Sequence, residues 1–295
     1  MKLKNIILYL SVFVFAFTQL TAQTNPVVSN VAFSISGSTV TVTYDVSDAE
    51  VGSFTIYMDV SDDGGTTWDY DYGATSGDIG AGVSAGVSKS IQWTYPGAEN
   101  SNMKIRISAD DLYGDQIYYG RQIYNTVTIG TQTWLKENLN VGTMINSNTI
   151  QSDNSILEKY CYENDAANCL GDYGGLYQWN ELMQYTSGAE AQGICPTGWH
   201  IPTQAEFSTL DTEVSSDGNA LKAVVAGGTN TSGFTALYSG YLADGDGSGW
   251  SKFGTGEINM YTSTGTNKGI YFDGYGVNTW THGNTTAMAV RCIKD

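Results

Sequence analysis

Residues 39 to 46 read Thr-Val-Thr-Val-Thr-Tyr-Asp-Val. Apolar and polar side chains alternate there with a period of two. A strand can bury such a pattern on one face, and a helix cannot. The alternation returns in Ser53-Phe54-Thr55-Ile56-Tyr57-Met58-Asp59-Val60, in Ser90-Ile91-Gln92-Trp93 and in Met103-Lys104-Ile105-Arg106-Ile107-Ser108-Ala109. Val27 to Ile35 is also strand-like, and Ser36-Gly37-Ser38 reads as the turn that follows it. With 35 glycines against 4 prolines, the chain suits turn-rich β structure. Sheets with one apolar face must stack to bury it, so residues 25–124 are expected to form a β-sandwich.

Short strands at this spacing fit a sandwich of the immunoglobulin or fibronectin type III kind. This part of the chain has no Cys, so a disulfide-pinned antibody-type domain is excluded. Ser61-Asp62-Asp63-Gly64-Gly65-Thr66-Thr67-Trp68 fits the Asp-box pattern and resembles the turns of sialidase-type propellers. A propeller would repeat the motif, and one copy is present. Turn chemistry alone accounts for it: Asp63 can cap backbone amides, the glycines allow positive φ, and Trp68 packs under the turn.

Met1-Lys2-Leu3-Lys4 is a basic start, and Ile6 to Phe17 is an apolar run too short to span a bilayer. Small residues follow, and cleavage is expected after Ala22, which makes residues 1–22 a signal peptide. Export gives the four cysteines a structural meaning, since disulfides persist in oxidising compartments. Cys161, Cys169, Cys195 and Cys292 allow three pairings. The preferred pairs are Cys161–Cys169, closing a small loop, and Cys195–Cys292, tying a mid-domain turn to the last strand. A zinc site is disfavoured, because there is no close Cys-x-x-Cys pair and only two histidines are present.

The formal net charge is -17, and loss of Lys2 and Lys4 with the leader would bring it to -19. Such a chain does not neutralise phosphates, so nucleic acid is excluded as a partner, as is docking on anionic lipid. No second apolar run of membrane length follows the leader, so no membrane insertion is expected after cleavage.

The composition changes after Tyr124, and residues 125–295 are expected to be a second, α+β domain. Leu176 to Met183 has apolar residues at helical spacing. Thr203-Gln204-Ala205-Glu206 is a capping box, after which Phe207, Leu210 and Val214 form one stripe. Ala220 to Val225 is expected to be a short third helix.

Six blocks of this half carry a resemblance. They are Val127-Thr128-Ile129-Gly130-Thr131-Gln132-Thr133-Trp134-Leu135-Lys136-Glu137-Asn138-Leu139-Asn140, Tyr173-Gly174-Gly175-Leu176-Tyr177-Gln178-Trp179, Cys195-Pro196-Thr197-Gly198-Trp199-His200-Ile201-Pro202-Thr203-Gln204-Ala205-Glu206-Phe207, Gly233-Phe234-Thr235-Ala236-Leu237, Tyr261-Thr262-Ser263-Thr264 and Ala289-Val290-Arg291-Cys292-Ile293-Lys294-Asp295. In order and spacing they resemble the Fibrobacter succinogenes major paralogous domain family over the whole second domain. Met260-Tyr261 departs from the tryptophan pair often found there in that family. The resemblance implies an exported, often multi-domain bacterial protein, and no particular reaction. The blocks are also distantly similar to C-type lectin-like folds, which host sugar binders, protein binders and formylglycine-generating enzymes. The expected architecture is therefore mostly β: an N-terminal β-sandwich followed by a C-type lectin-like α+β domain.

Candidate sites follow from the residues. Trp250, Tyr261, Tyr271, Tyr275 and Trp280 stand among Gly, Asn and Asp in the last third, where ring faces could stack on sugars. Asp244, Asp246 and Ser248 fit the first half of a Ca²⁺ loop, but position twelve is Thr255 instead of the bidentate Glu. His200 and His282 are isolated from Ser, Cys and each other in sequence, and are read as structural side chains. No Gly-x-Ser-x-Gly, phosphate loop or His-Glu-x-x-His is present. The expected role is a secreted or cell-surface binding module for glycan or protein, without catalysis. A structural subunit of the cell envelope is the alternative, and an enzyme, formylglycine-type or other, the third reading.

Overall fold

The computed structural model describes residues 24–295, apart from 66, 69, 96–100, 112, 244–248, 266 and 284. The expected leader and its cleavage site lie outside the described residues. The first unit holds seven strands: β1 (Val27–Ser36), β2 (Thr39–Ser47), β3 (Ser53–Ser61), β4 (Thr75–Gly77), β5 (Gly80–Ser84), β6 (Gly86–Thr94) and β7 (Lys104–Asp110). They form two antiparallel sheets, ordered β1-β2-β6-β4 and β5-β3-β7. The alternation seen in sequence sets the inner faces. Val40, Val42, Tyr44 and Val46 of β2 are buried, as are Phe54, Ile56, Met58 and Val60 of β3. Together with Ile91, Trp93 and Ile107 they make one core, as expected for a β-sandwich.

The Asp-box turn is built as its residues suggest. The backbone amide and hydroxyl of Thr67 donate to the Asp63 carboxylate, and the amide of Gly65 donates to Ser61 Oγ. The Arg106 guanidinium lies 4.4 Å over the Trp68 ring.

A hairpin joins the two halves of the chain. β8 (Gln116–Tyr119) pairs with β9 (Gln122–Ile129), which runs through the boundary expected at residues 124 and 125. β9 continues into a five-stranded sheet with β10 (Gln132–Leu135), ordered β14-β21-β10-β9-β8 once β14 (Trp199–His200) and β21 (Ile293–Lys294) are added. Tyr118 of the same hairpin stacks on Tyr57 of the sandwich at 3.7 Å and donates its hydroxyl to Asp59 at 2.8 Å. Asp59 also takes the Arg106 guanidinium, which in turn bonds the carbonyl of Arg121. An ion pair between buried Asp59 and the partly exposed Arg106 thus lies where the hairpin meets the sandwich.

The remaining strands are short: β11 (Thr143–Met144), β12 (Glu158–Lys159), β13 (Tyr177–Gln178), β15 (Ser239–Leu242), β16 (Trp250–Phe253), β17 (Ile258–Tyr261), β18 (Lys268–Asp273), β19 (Gly276–Thr281) and β20 (Ala287–Met288). They give sheets ordered β13-β20-β15-β16 and β17-β18-β19, and a parallel pair of β11 with β12. The helices are α1 (Trp179–Leu182), α2 (Gln204–Glu213) and α3 (Gly218–Leu221). In α2 both halves of the capping box form: Glu206 N donates to Thr203 Oγ1 at 3.1 Å, and Thr203 N donates to Glu206 Oε2 at 2.7 Å. The helix buries Phe207 and Leu210 against Trp134, Phe234 and Phe272. Helix over Leu176–Met183 is realised only from Trp179, because Tyr177 pairs with Met288 as strand. The third helix stops at Leu221, because Lys222 bridges Ala236 and Ala223 N donates to the Ala236 carbonyl.

Cys161 is bonded to Cys169 and Cys195 to Cys292, the pairs preferred from sequence. The second bond lies inside the core with Leu182, Trp199 and Ile201. Beside it Arg291 is fully buried. Its guanidinium bonds Asn138 Oδ1 and the Phe234 carbonyl and lies over the Phe234 ring.

Candidate functional site

The β17-β18-β19 sheet determines which late aromatics face outward. Its register sets Asn259 opposite Tyr271 and Tyr271 opposite Asn278; two residues on, Tyr261 faces Gly269 and Gly269 faces Trp280. Paired residues share a face, so Tyr271, Trp280, Asn259 and Tyr261 lie on one side of this sheet. The other side carries Ile270 and Phe272 into the core with Met260.

On the first side the residues differ in depth. Trp280 is 38% exposed, whereas Tyr261 is fully buried and its hydroxyl donates to the Thr286 carbonyl. Tyr261 was expected among the stacking residues and is a core residue instead. Its alternation places it on the same face as Trp280, but there it joins the core cluster that holds Trp179, Leu182, Met288 and Val290. Trp280 is flanked edge-on by Tyr271 and by Tyr241 of β15, each at 6.3 Å between ring centres. One side of its ring packs on His282 at 4.2 Å. The glycine across the ladder makes this fit: a Cβ at 269 would come within 2.9 Å of the Met260 carbonyl and 3.1 Å of His282 Nε2.

The polar groups under this platform are neutral. Burial pulls the His282 pKa down to about 4, so the imidazole is uncharged at neutral pH. Its Nε2 is buried without a hydrogen-bond partner, as is Oδ1 of Asn259. An uncharged ring platform with polar groups below suits contact with a neutral ligand having both an apolar face and hydrogen-bonding edges.

The other expected residues lie elsewhere. Tyr275 is 89% exposed at the β18–β19 turn, at the end of β19 away from Trp280. Trp250 is partly buried against Tyr162 at 5.1 Å, in a second aromatic group with Phe253 and Tyr173. Asp244, Asp246 and Ser248 lie outside the described residues. Among the described residues no group of three His, Cys, Asp or Glu side chains is arranged to hold a metal ion.

Sequence reasoning missed Tyr241 and His282 as members of the cluster. Tyr241 comes from a different sheet, and no spacing in the chain points to it. His282 stands two residues after Trp280 and could have been read as lying on the same face of an extended strand.

His200 has both ring nitrogens engaged, with Asp295 Oδ1 at 2.7 Å and Glu206 Oε1 at 2.9 Å. A cleft of about 90 Å³ is lined by Asp153, Asn154, Glu181 and Tyr185 among others. Burial raises the Glu181 carboxyl, which takes the Tyr185 hydroxyl at 2.6 Å and the Glu158 amide at 2.8 Å. Its oxygens are thus engaged by its own surroundings.

The model of the Fibrobacter succinogenes major domain matches residues 127–294. No curated protein and no solved structure gives a significant match.

Proposed function

The chain belongs to the Fibrobacter succinogenes major domain family, and from that premise we propose that it is a secreted or cell-surface recognition protein whose second domain binds a glycan or a protein through the face centred on Trp280. The observation that carries this reading is the partly exposed Trp280 ring, framed edge-on by Tyr241 and Tyr271 from two different sheets. Large rings held in place by their neighbours lose little entropy on binding, which is why they recur at recognition surfaces.

Two disulfides fit an oxidising compartment. Among the described residues no helix is long and apolar enough to cross a membrane. A binding role is preferred to catalysis because the groups best suited to acid–base work are committed elsewhere: His200 to two carboxylates, and the cysteines to bridges. A formylglycine-type reaction would want redox-capable thiols. The lectin-like comparison and the immunoglobulin-like reading of the sandwich belong to this proposal.

A role in envelope assembly is the second reading. It is favoured by the exposed Val27, Val31, Phe33 and Val87 of the sandwich, which could pack against another subunit. Probing a glycan array and a set of envelope extracts with the intact chain and with Trp280→Ala tests the first reading. Binding by the former and its loss in the latter is expected. Binding that survives the substitution in a folded variant removes Trp280 from the site.

A further inference from the structure

Lys159 of β12 is half-buried, and its amine has no carboxylate ion-pair partner among the described residues. Its Nζ lies 2.7 Å from the side-chain oxygen of Asn140 and 3.3 Å from the Asn140 carbonyl. Among the described residues no Asp or Glu forms an ion pair with it. We propose that Lys159 and Asn140 form an intramolecular isopeptide bond, in which the lysine amine displaces ammonia from the asparagine carboxamide.

The surroundings hold the backbone that carries Asn140 in place. The Asn140 backbone amide donates to the Tyr124 hydroxyl at 3.0 Å, and the Val141 backbone amide donates to the Tyr177 hydroxyl at 2.9 Å. Leu139 is anchored by its amide to the Val290 carbonyl. The lysine stem reaches Asn140 past Gly175, where a Cβ would meet Lys159 Cδ at 3.0 Å and the Tyr177 hydroxyl at 2.8 Å. A residue with a side chain at 175 would crowd the stem out of this path.

The chemistry balances without an added reagent. The Nζ lone pair attacks Cγ of Asn140, and the C–Nδ2 bond breaks. One proton passes from the attacking to the departing nitrogen, which leaves as ammonia, and a secondary amide remains. Attack requires the neutral amine, and burial lowers the Lys159 pKa to about 8. The 2.7 Å contact with Oδ1 keeps the amine beside the carboxamide, and intramolecular proximity of this kind raises the rate over that of separate molecules. The amide product also removes a partly desolvated charge that has no ion-pair partner among the described residues, which favours it over the separate pair.

Mass spectrometry of the intact, folded, disulfide-bonded chain tests this. Wild-type protein and Asn140→Ala are prepared in parallel, so that processing of the N-terminus cancels, and both are incubated at pH 7 and pH 9. The wild type is expected to be lighter than its sequence by one ammonia beyond the disulfide correction, with a larger fraction converted at pH 9. A protease digest should contain one branched peptide joining residues 140 and 159. Asn140→Ala and Lys159→Arg should each keep the full sequence mass. A wild type that stays at its sequence mass under both conditions overturns the proposal. So does conversion of Asn140 to Asp without a branched peptide, or a branch that maps elsewhere. The wild-type mass decides the matter even if a variant fails to fold.

Discussion

The Nδ1 of His200 lies 2.7 Å from Oδ1 of Asp295, while its Nε2 lies 2.9 Å from Oε1 of Glu206. The imidazole thereby links the last residue of the chain to the capping box of α2. Burial works against protonation of this ring, but the hydrogen bonds and charges of Glu206 and Asp295 outweigh it and raise its pKa above the usual 6.5.

The sign of its pH dependence follows. A His with a raised folded pKa contributes stability that is fully present below about 6.5 and is lost as pH rises through the folded value. His200→Ala should therefore destabilise most near pH 6, by about 1–2 kcal/mol given the solvent exposure of Asp295, and less above pH 8. Urea unfolding of both proteins across this range measures it. A difference that grows toward alkaline pH would contradict the assignment.

Trp280 and Tyr261 separate contact from core. Trp280→Ala should cost on the order of 1 kcal/mol, since the ring is already partly in water. Tyr261→Ala should cost about 3–5 kcal/mol, because it empties a fully buried site. Thermal melts of the two variants give the comparison, and equal losses would place Trp280 in the core.

His282 reports on the same platform. With Trp280 in place its pKa is near 4, and the stability of the neutral form is lost as pH falls from about 6.5 toward that value. Trp280→Ala should admit water and move the pKa toward 6.5, read by NMR titration of the imidazole protons. An unmoved titration would mean that other groups keep the ring dry.

The disulfides should differ in weight. Closing a loop of sequence separation 97 is worth about 4.7 kcal/mol in chain entropy, and closing one of separation 8 about 2.5 kcal/mol. The double variant Cys195→Ser with Cys292→Ser should therefore lower the melting temperature more than Cys161→Ser with Cys169→Ser. The reverse order would point to native-state strain or residual unfolded structure as the larger effect.

Arg291 is held in the core by an amide oxygen and a carbonyl, with Phe234 beneath its charge. Arg291→Ala should cost about 3–5 kcal/mol, because Asn138 Oδ1 and the Phe234 carbonyl lose their donor and a cavity opens. Arg291→Lys should recover little, since one ammonium cannot reproduce the planar fork. Denaturant titration of both variants checks this, and a lysine variant as stable as the wild type would show that charge alone suffices.

What could be read in the chain without its fold is what local spacing encodes. Alternation at Val40 to Val46 and Phe54 to Val60 identified the sandwich faces, because side-chain direction along a strand depends only on parity. The capping box at Thr203 and Glu206 could be read because its two hydrogen bonds close within four residues. The cysteine pairs and the family blocks were legible for a different reason: four cysteines leave three pairings, and the blocks keep their order.

Depth and company could not be read that way, and they decide the site. Tyr261 and Trp280 lie on the same face of one sheet, yet one is fully buried and the other 38% exposed. The difference comes from what each ring meets: Tyr261 joins the core cluster with Trp179, Leu182, Met288 and Val290, and Trp280 does not. Likewise Tyr241 joins Trp280 from another sheet, and Asn140 meets Lys159 from a different segment of the chain. Parity along a strand is a local property of the backbone; burial and contact are sums over segments distant in the chain, and only the folded chain evaluates them.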